Sequence, residues 1–278
     1  MNQDELPKPE DGVNPPVEAD PSFARRVPGP APNPWTLRNL LVLLGCALLA
    51  LVAANILAVT GYKLLNPSIN LERTPEVLRY NTLFHIALLL IFYGLFLGVI
   101  YLFVVVNSRL PFWKALKWRK ASPSAIVWCA MGGAVLAILI QFVPPLLPSS
   151  REFPLERLFN SPTSAYAIAA FAILLAPFME ELIFRGLLFA FLEQLTGVAM
   201  AVVGTALLFA ALHVSQYWGA WNHVVLIGLV GFCFSLVRGL SGSVMPSYIL
   251  HVAYNATLIL GLYWQSNGFS SFPANLGP

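Results

Sequence analysis

The chain has 278 residues, 58% of them hydrophobic and only 10% charged, with a net charge of +3. A soluble domain carries about 25% charged residues, so this composition, with a mean hydropathy of +0.71, excludes an ordinary soluble fold and predicts an all-α, polytopic membrane bundle. The basic residues fall in loops between apolar runs, a topology pattern and not a nucleic-acid surface, and the isolated Cys46, Cys129 and Cys233 give neither a disulfide framework nor a cysteine metal site.

Residues 1–34 hold nine prolines and six acidic residues and read as a disordered, Pro-rich acidic tail. Residues 35–163 form an N-terminal membrane segment with three spans, Leu40–Tyr62, Leu83–Val106 and Ala125–Leu147. His85, near the start of the second, reads as a structural residue. The loop Asn107–Pro123 carries Arg109, Lys114, Lys117, Arg119 and Lys120 without an acid, which places it, and the N-terminus two crossings earlier, in the cytoplasm. Its Phe112, Trp113 and Trp118 suit the headgroup surface.

Residues 164–265 carry the chemistry. Ala165–Leu195 is 31 residues long, whereas about 20 suffice for one crossing. Pro177 interrupts it and predicts a kink three residues before Glu180. Glu180, Glu181 and Arg185 lie inside this apolar run, and each costs about 2.5–3.5 kcal/mol to insert at a helix centre. Glu181 and Arg185 are four apart and share a helix face, so they can pair. Glu180 points about 100° away and has no basic partner at helical spacing. Val198–His213, Trp218–Val237 and Val244–Trp264 are further spans, giving about seven or eight. Residues 266–278 read as a C-terminal tail.

Two later stretches supply what Glu180 can face. Phe209 and His213 are four apart, as are His251 and Asn255, each pair on one helical face. A carboxylate and an imidazole in an apolar, partly wet cavity can hold and deprotonate a water. A second His and an Asn can donate to the oxyanion formed when that water attacks an amide. No GxSxG and no HExxH occurs, which excludes the serine-hydrolase elbow and the ordinary zincin. Each polar residue taken singly also fits a bland role as interhelical glue, contributing about 0.6 kcal/mol; the set of them in three runs does not.

Glu180-Glu181-x-x-x-Arg185, Phe209-x-x-x-His213 and His251-x-x-x-Asn255 together resemble the three ordered motifs of the CPBP family, the CAAX prenyl proteases and bacteriocin-processing proteins also called Abi. The resemblance implies an intramembrane endopeptidase acting on a membrane-associated peptide or protein, in the inner membrane of a bacterial cell. It implies that Glu180 and His213 activate water, that His251 and Asn255 stabilise the oxyanion, and that Glu181, Arg185 and Phe209 support the site. No cofactor is expected. The alternative is a zinc-dependent peptidase with Glu180, His213 and His251 as ligands; adjacent glutamates on a regular helix cannot both face one point, and Glu181 has Arg185. A non-catalytic scaffold or immunity protein of the same fold is a further alternative. A transporter using Glu180 as a proton site would need internal symmetry, and none is visible.

Overall fold

Several helices begin where the sequence offers a side-chain cap. In the computed structural model, which describes residues 35–68, 78, 81–108, 110–142 and 161–270, α1 (Leu37–Leu65) starts at Thr36, whose side chain accepts from the Asn39 N–H. Asn81 caps α2 (Thr82–Asn107) and Ser122 caps α4 (Pro123–Ile140), with proline in the first turn of α4. Between them lies the single turn α3 (Phe112–Ala115). Ser161 and Ser164 form a capping box ahead of Pro162. The expected tail at 1–34, the loop at 143–160 and the last eight residues lie outside the described residues.

From Pro162 to His213 the chain is one helical rod with three irregularities. It runs as α5 (Pro162–Ala170), a π-turn at Phe171–Leu175, α6 (Ala176–Glu181), a second π-turn at Leu182–Leu188, and α7 (Phe189–His213). Gly197, at φ 79°, breaks α7 into two arms; a side chain is strained in that conformation. The sequence boundary between Leu195 and Val198 falls at this bend. Helices α8 (Trp221–Ser241) and α9 (Val244–Gln265) complete the fold. Gly242, at φ 61°, closes α8 in a left-handed cap, and Ser243 caps α9.

Among the described residues five helices are long and apolar enough to cross a membrane: α1, α2, α4, the 52-residue rod and α8. The sequence expected seven or eight. The difference has two sources. The rod counts once although Gly197 divides it, and α9, diluted by Ser247, His251 and Asn255, is not among the five. All described helices are α or π, with no strand among the described residues.

Lipid tails are as apolar as leucine, so helix association here rests on close packing and not on burying grease. Small residues supply it: Ala50, Ala54 and Ala58 form the buried seam of α1. Gly133 of α4 lies against α9 so tightly that a Cβ there would collide with the Leu250 carbonyl oxygen. Leucines such as Leu41, Leu48 and Leu49 face outward. One apolar core joins Trp35, Ile100, Val104 and Leu116 to Met179 and Leu182 in the rod. It lies on the side of the glutamates nearest the basic loop.

Candidate active site

The two π-turns fix the glutamates between them, and each leaves one backbone carbonyl without a helical partner. At the first, the Ala176 N–H reaches back five residues to Phe171, bypassing Ala172. The next donor would be residue 177, a proline with no N–H. The Ala172 carbonyl is instead satisfied by Asn255, whose Nδ2 donates at 2.7 Å. At the second, the Phe189 N–H reaches Phe184 and bypasses Arg185; the Arg185 carbonyl accepts from Arg238 Nε at 3.1 Å. The kink expected at Pro177 is thus a π-turn, a feature frequent at functional sites, tied to α9 by a motif residue.

Glu181 and Arg185 are both 0% exposed, and Arg185 Nη1 lies 3.0 Å from Glu181 Oε1. Arg185 Nη2 donates to the Gly231 carbonyl at 2.8 Å. The guanidinium also sits 4.8 Å from the Phe209 ring centroid and 5.4 Å from that of Phe234, within cation–π range. Ser247 Oγ stands 2.7 Å from Glu181 Oε2 and 2.9 Å from the Phe234 carbonyl. Every oxygen of Glu181 therefore has a donor beside it.

His251 lies between the adjacent glutamates. Its Nδ1 is 3.0 Å from Glu181 Oε1, and its Nε2 is 3.8 Å from Glu180 Oε2. Adjacent glutamates on a regular helix cannot face one point, but Glu180 and Glu181 lie beside opposite nitrogens of one imidazole. Phe234 lies 4.3 Å from the His251 ring on one side. Glu180 differs from Glu181 in being 26% exposed, and it opens into a cavity of about 450 Å³.

That cavity gathers Glu180, His213, His251 and Asn255 from three stretches of sequence, together with Phe209. His213 Nδ1 lies 2.8 Å from the Phe209 carbonyl oxygen, so Nδ1–H donates there and Nε2 is the nitrogen with a lone pair. The Phe209 ring packs 4.6 Å from His213 and 4.9 Å from Phe184. It has room because Gly231 lacks a Cβ, which would sit 2.9 Å from Phe209 Cδ1. His85 also lines the cavity, with its Nδ1 on the Asn81 carbonyl at 2.8 Å. The remaining walls are largely apolar, among them Ile86, Leu89, Ile168, Phe171 and Ile259.

Residues 162–257 match the family model for Rce1-like proteins, described as type II CAAX prenyl endopeptidase Rce1-like. The match supports a CPBP-type core in this segment. The match starts with α5 and ends two residues beyond Asn255, so the CPBP core contains every motif residue, while α1–α4 lie outside it. No curated protein and no solved structure matches the chain. The apolar helices and this membrane-protease core make the chain an integral membrane protein.

Sequence reasoning passed over several residues that the CPBP core uses. Ser247 precedes His251 by four residues, so 247, 251 and 255 form one stripe on α9, and that spacing was available as a signal. Arg238, fully buried, was visible as a lone cation in an apolar run; it lies 3.6 Å from Glu193 Oε2 and 4.6 Å from the Phe189 ring. Gly231 and Phe234 carry no signal in one sequence, because their roles are set by a neighbouring helix.

Proposed function

We propose that this CPBP protein is an intramembrane endopeptidase that hydrolyses a peptide bond of a membrane-associated protein or peptide. The observation carrying this reading is the convergence of Glu180, His213, His251 and Asn255 on one cavity whose other walls are mostly apolar. Glu180, partly exposed and free of Arg185, is the general base, and His213 shares the attacking water through Nε2. The proton leaves water for Glu180 as the oxygen adds to the carbonyl carbon, and returns to the leaving nitrogen as the C–N bond breaks. His251, held at Nδ1 by Glu181 and carrying a second hydrogen at Nε2 as the imidazolium, and the second Nδ2 hydrogen of Asn255 donate to the developing oxyanion. The protein sits in a bacterial inner membrane with its N-terminus cytoplasmic, on the charge asymmetry of the loop at 107–123.

The mechanism we propose is metal-free. Among the described residues no group of three or more His, Cys, Asp and Glu side chains is arranged to hold a metal ion. The set Glu180, His213 and His251 does not fit zinc in this arrangement, and no step is routed through a metal. Prolonged treatment with 1,10-phenanthroline is expected to leave activity intact; stoichiometric zinc that leaves with activity and restores it would overturn the reading. The reading as a whole is tested with purified protein in detergent and a quenched fluorogenic membrane peptide. Glu180→Gln is expected to remain folded and lose about 10²–10⁴-fold in rate. Equal turnover by wild type and Glu180→Gln would remove Glu180 from the chemistry, and a folded wild type with no turnover would favour a scaffold or immunity protein.

A further inference from the structure

The two ends of the bundle differ in charge and in packing. At one end the loop between α2 and α4 is bound to the rest of the fold. Trp35 Nε1 donates to the Ala115 carbonyl at 3.3 Å, Lys117 pairs with Glu193 at 2.9 Å, Arg119 Nη2 donates to the Gly242 carbonyl at 2.8 Å, and the Val244 N–H reaches the Lys117 carbonyl at 3.1 Å. This gathers the start of α1, the end of α2, the Gly197 side of the rod, the end of α8 and the start of α9 at one basic end. The opposite end holds Asn81, Ser161, the turn after His213, and Phe269 packed on Ala165 and Ala169.

The cavity belongs to the opposite end. Its wall includes Thr82 and His85 from the first turn of α2, Gln216 and Tyr217 from the turn after α7, and Leu258 and Ile259 from the second half of α9. None of the described basic-loop residues lines it. Between the glutamates and the basic end the fold is filled: Leu116 and Leu182 are 0% exposed and Met179 2%, and Trp118 packs 5.4 Å from both Phe178 and Tyr248.

The sequence gives these ends a side. The loop at 107–123 carries five basic residues and no acid, whereas the loops at 66–81 and 143–161 each carry two basic and two acidic residues. An excess of Lys and Arg in a short loop marks the cytoplasmic face. We propose that the cavity opens towards the extracytoplasmic side and takes its substrate there: an apolar stretch, uncharged around the scissile bond, of a polypeptide in the outer half of the membrane. This rests on the peptidase reading above. The lining at this end, Thr82, His85, Gln216 and Tyr217, is polar and presents no acidic or permanently charged side chain to a charged peptide. A substrate tethered at the cytoplasmic leaflet would meet the packed end.

The entrance is tested in intact cells with a chain whose Cys46, Cys129 and Cys233 are replaced by Ala. A membrane-impermeant maleimide is expected to label Gln216→Cys and His85→Cys from outside, and Lys120→Cys only after lysis. Labelling of Lys120→Cys in intact cells, labelling of the two mouth positions only after lysis, or failure of both to label at all overturns the proposal. The substrate class is tested in sealed proteoliposomes with an added impermeant quenched peptide, an uncharged Ala/Leu stretch with charged ends. Hydrolysis should scale with the fraction of molecules whose Lys120→Cys is protected inside, and modification of Gln216→Cys from outside should lower it by about tenfold or more. Hydrolysis that scales with the opposite orientation overturns the proposal and leaves the peptidase reading standing. No hydrolysis in either orientation sinks the peptidase reading, while the labelling still decides the side of the mouth.

Discussion

Glu181 holds His251 by its ring: Oε1 lies 3.0 Å from Nδ1. An ionised carboxylate only accepts, so Nδ1 carries a hydrogen, and Nε2 is turned towards Glu180 and the cavity. One glutamate thereby sets the orientation of a ring placed against the other. Glu181 is itself fixed by Arg185 and Ser247, so the order runs from a buried ion pair to an oriented imidazole to an accessible carboxylate.

Glu181→Gln breaks that order without changing size. The amide NH₂ can face Ser247, whose hydroxyl then donates to the Phe234 carbonyl, but the negative charge beside Arg185 and His251 is lost. A hydrogen bond to a charged group contributes about 1.5–3 kcal/mol, on the order of 10–150-fold in rate if the loss falls on the transition state. The expectation is a lower kcat with KM little changed, since Glu181 is fully buried. Wild-type kcat in a folded Glu181→Gln protein would disprove the orienting role.

Arg185 has a stability consequence. Removing one partner of a buried pair costs about 3–5 kcal/mol, and Arg185→Ala would also release the Gly231 carbonyl and the face of Phe209. Thermal unfolding in detergent should show a large loss. Arg185→Lys should recover only part of it, because a single ammonium cannot span Glu181 Oε1 and the Gly231 carbonyl as the guanidinium fork does. Full recovery by lysine would argue that charge alone matters here.

What could be read from the sequence divides along the same line. Interactions within a helix were legible: the i,i+4 relation of Glu181 and Arg185, the break between Leu195 and Val198, and the grouping of Phe209 with His213. The family followed from three short motifs in order. Interactions between helices were not legible. Nothing in one sequence says that Asn255 finds the Ala172 carbonyl 83 positions away, that Arg238 covers the second π-turn, or that Gly231 makes room for Phe209. A regular-helix angle also misled, since a ring with two nitrogens lets both glutamates lie beside His251.

Gly231 offers a test of packing that touches no polar group. A Cβ there would stand 2.9 Å from Phe209 Cδ1, and that ring is held between Arg185 and His213. Gly231→Ala must displace Phe209 and with it His213. Overpacking of this kind costs about 1–3 kcal/mol. Gly228→Ala is the matched control, because its Cβ would meet Ala210 at an ordinary 3.5 Å. Activity and thermal stability should fall for Gly231→Ala and stay near wild type for Gly228→Ala. Equal behaviour of the two would mean that the Phe209 position is not critical.

Asn255 has two assignments, one structural and one chemical, and Pro177 separates them. Structurally, Asn255 satisfies the Ala172 carbonyl that Pro177 cannot serve. Chemically, its other Nδ2 hydrogen is proposed to face the oxyanion. Asn255→Ala should therefore lose stability, by about 1–3 kcal/mol for a stranded buried acceptor, and also lose on the order of 10²–10³ in kcat for a missing oxyanion donor. Pro177→Ala restores an N–H to residue 177, within reach of the Ala172 carbonyl in the π register. In that background Asn255→Ala should cost much less stability, so the two changes are non-additive in thermal unfolding. The kcat loss should persist, because a repaired helix supplies no donor to the cavity. If Pro177→Ala rescues kcat along with stability, Asn255 acts only through the backbone of the rod, and the oxyanion donor must be sought in His251 alone.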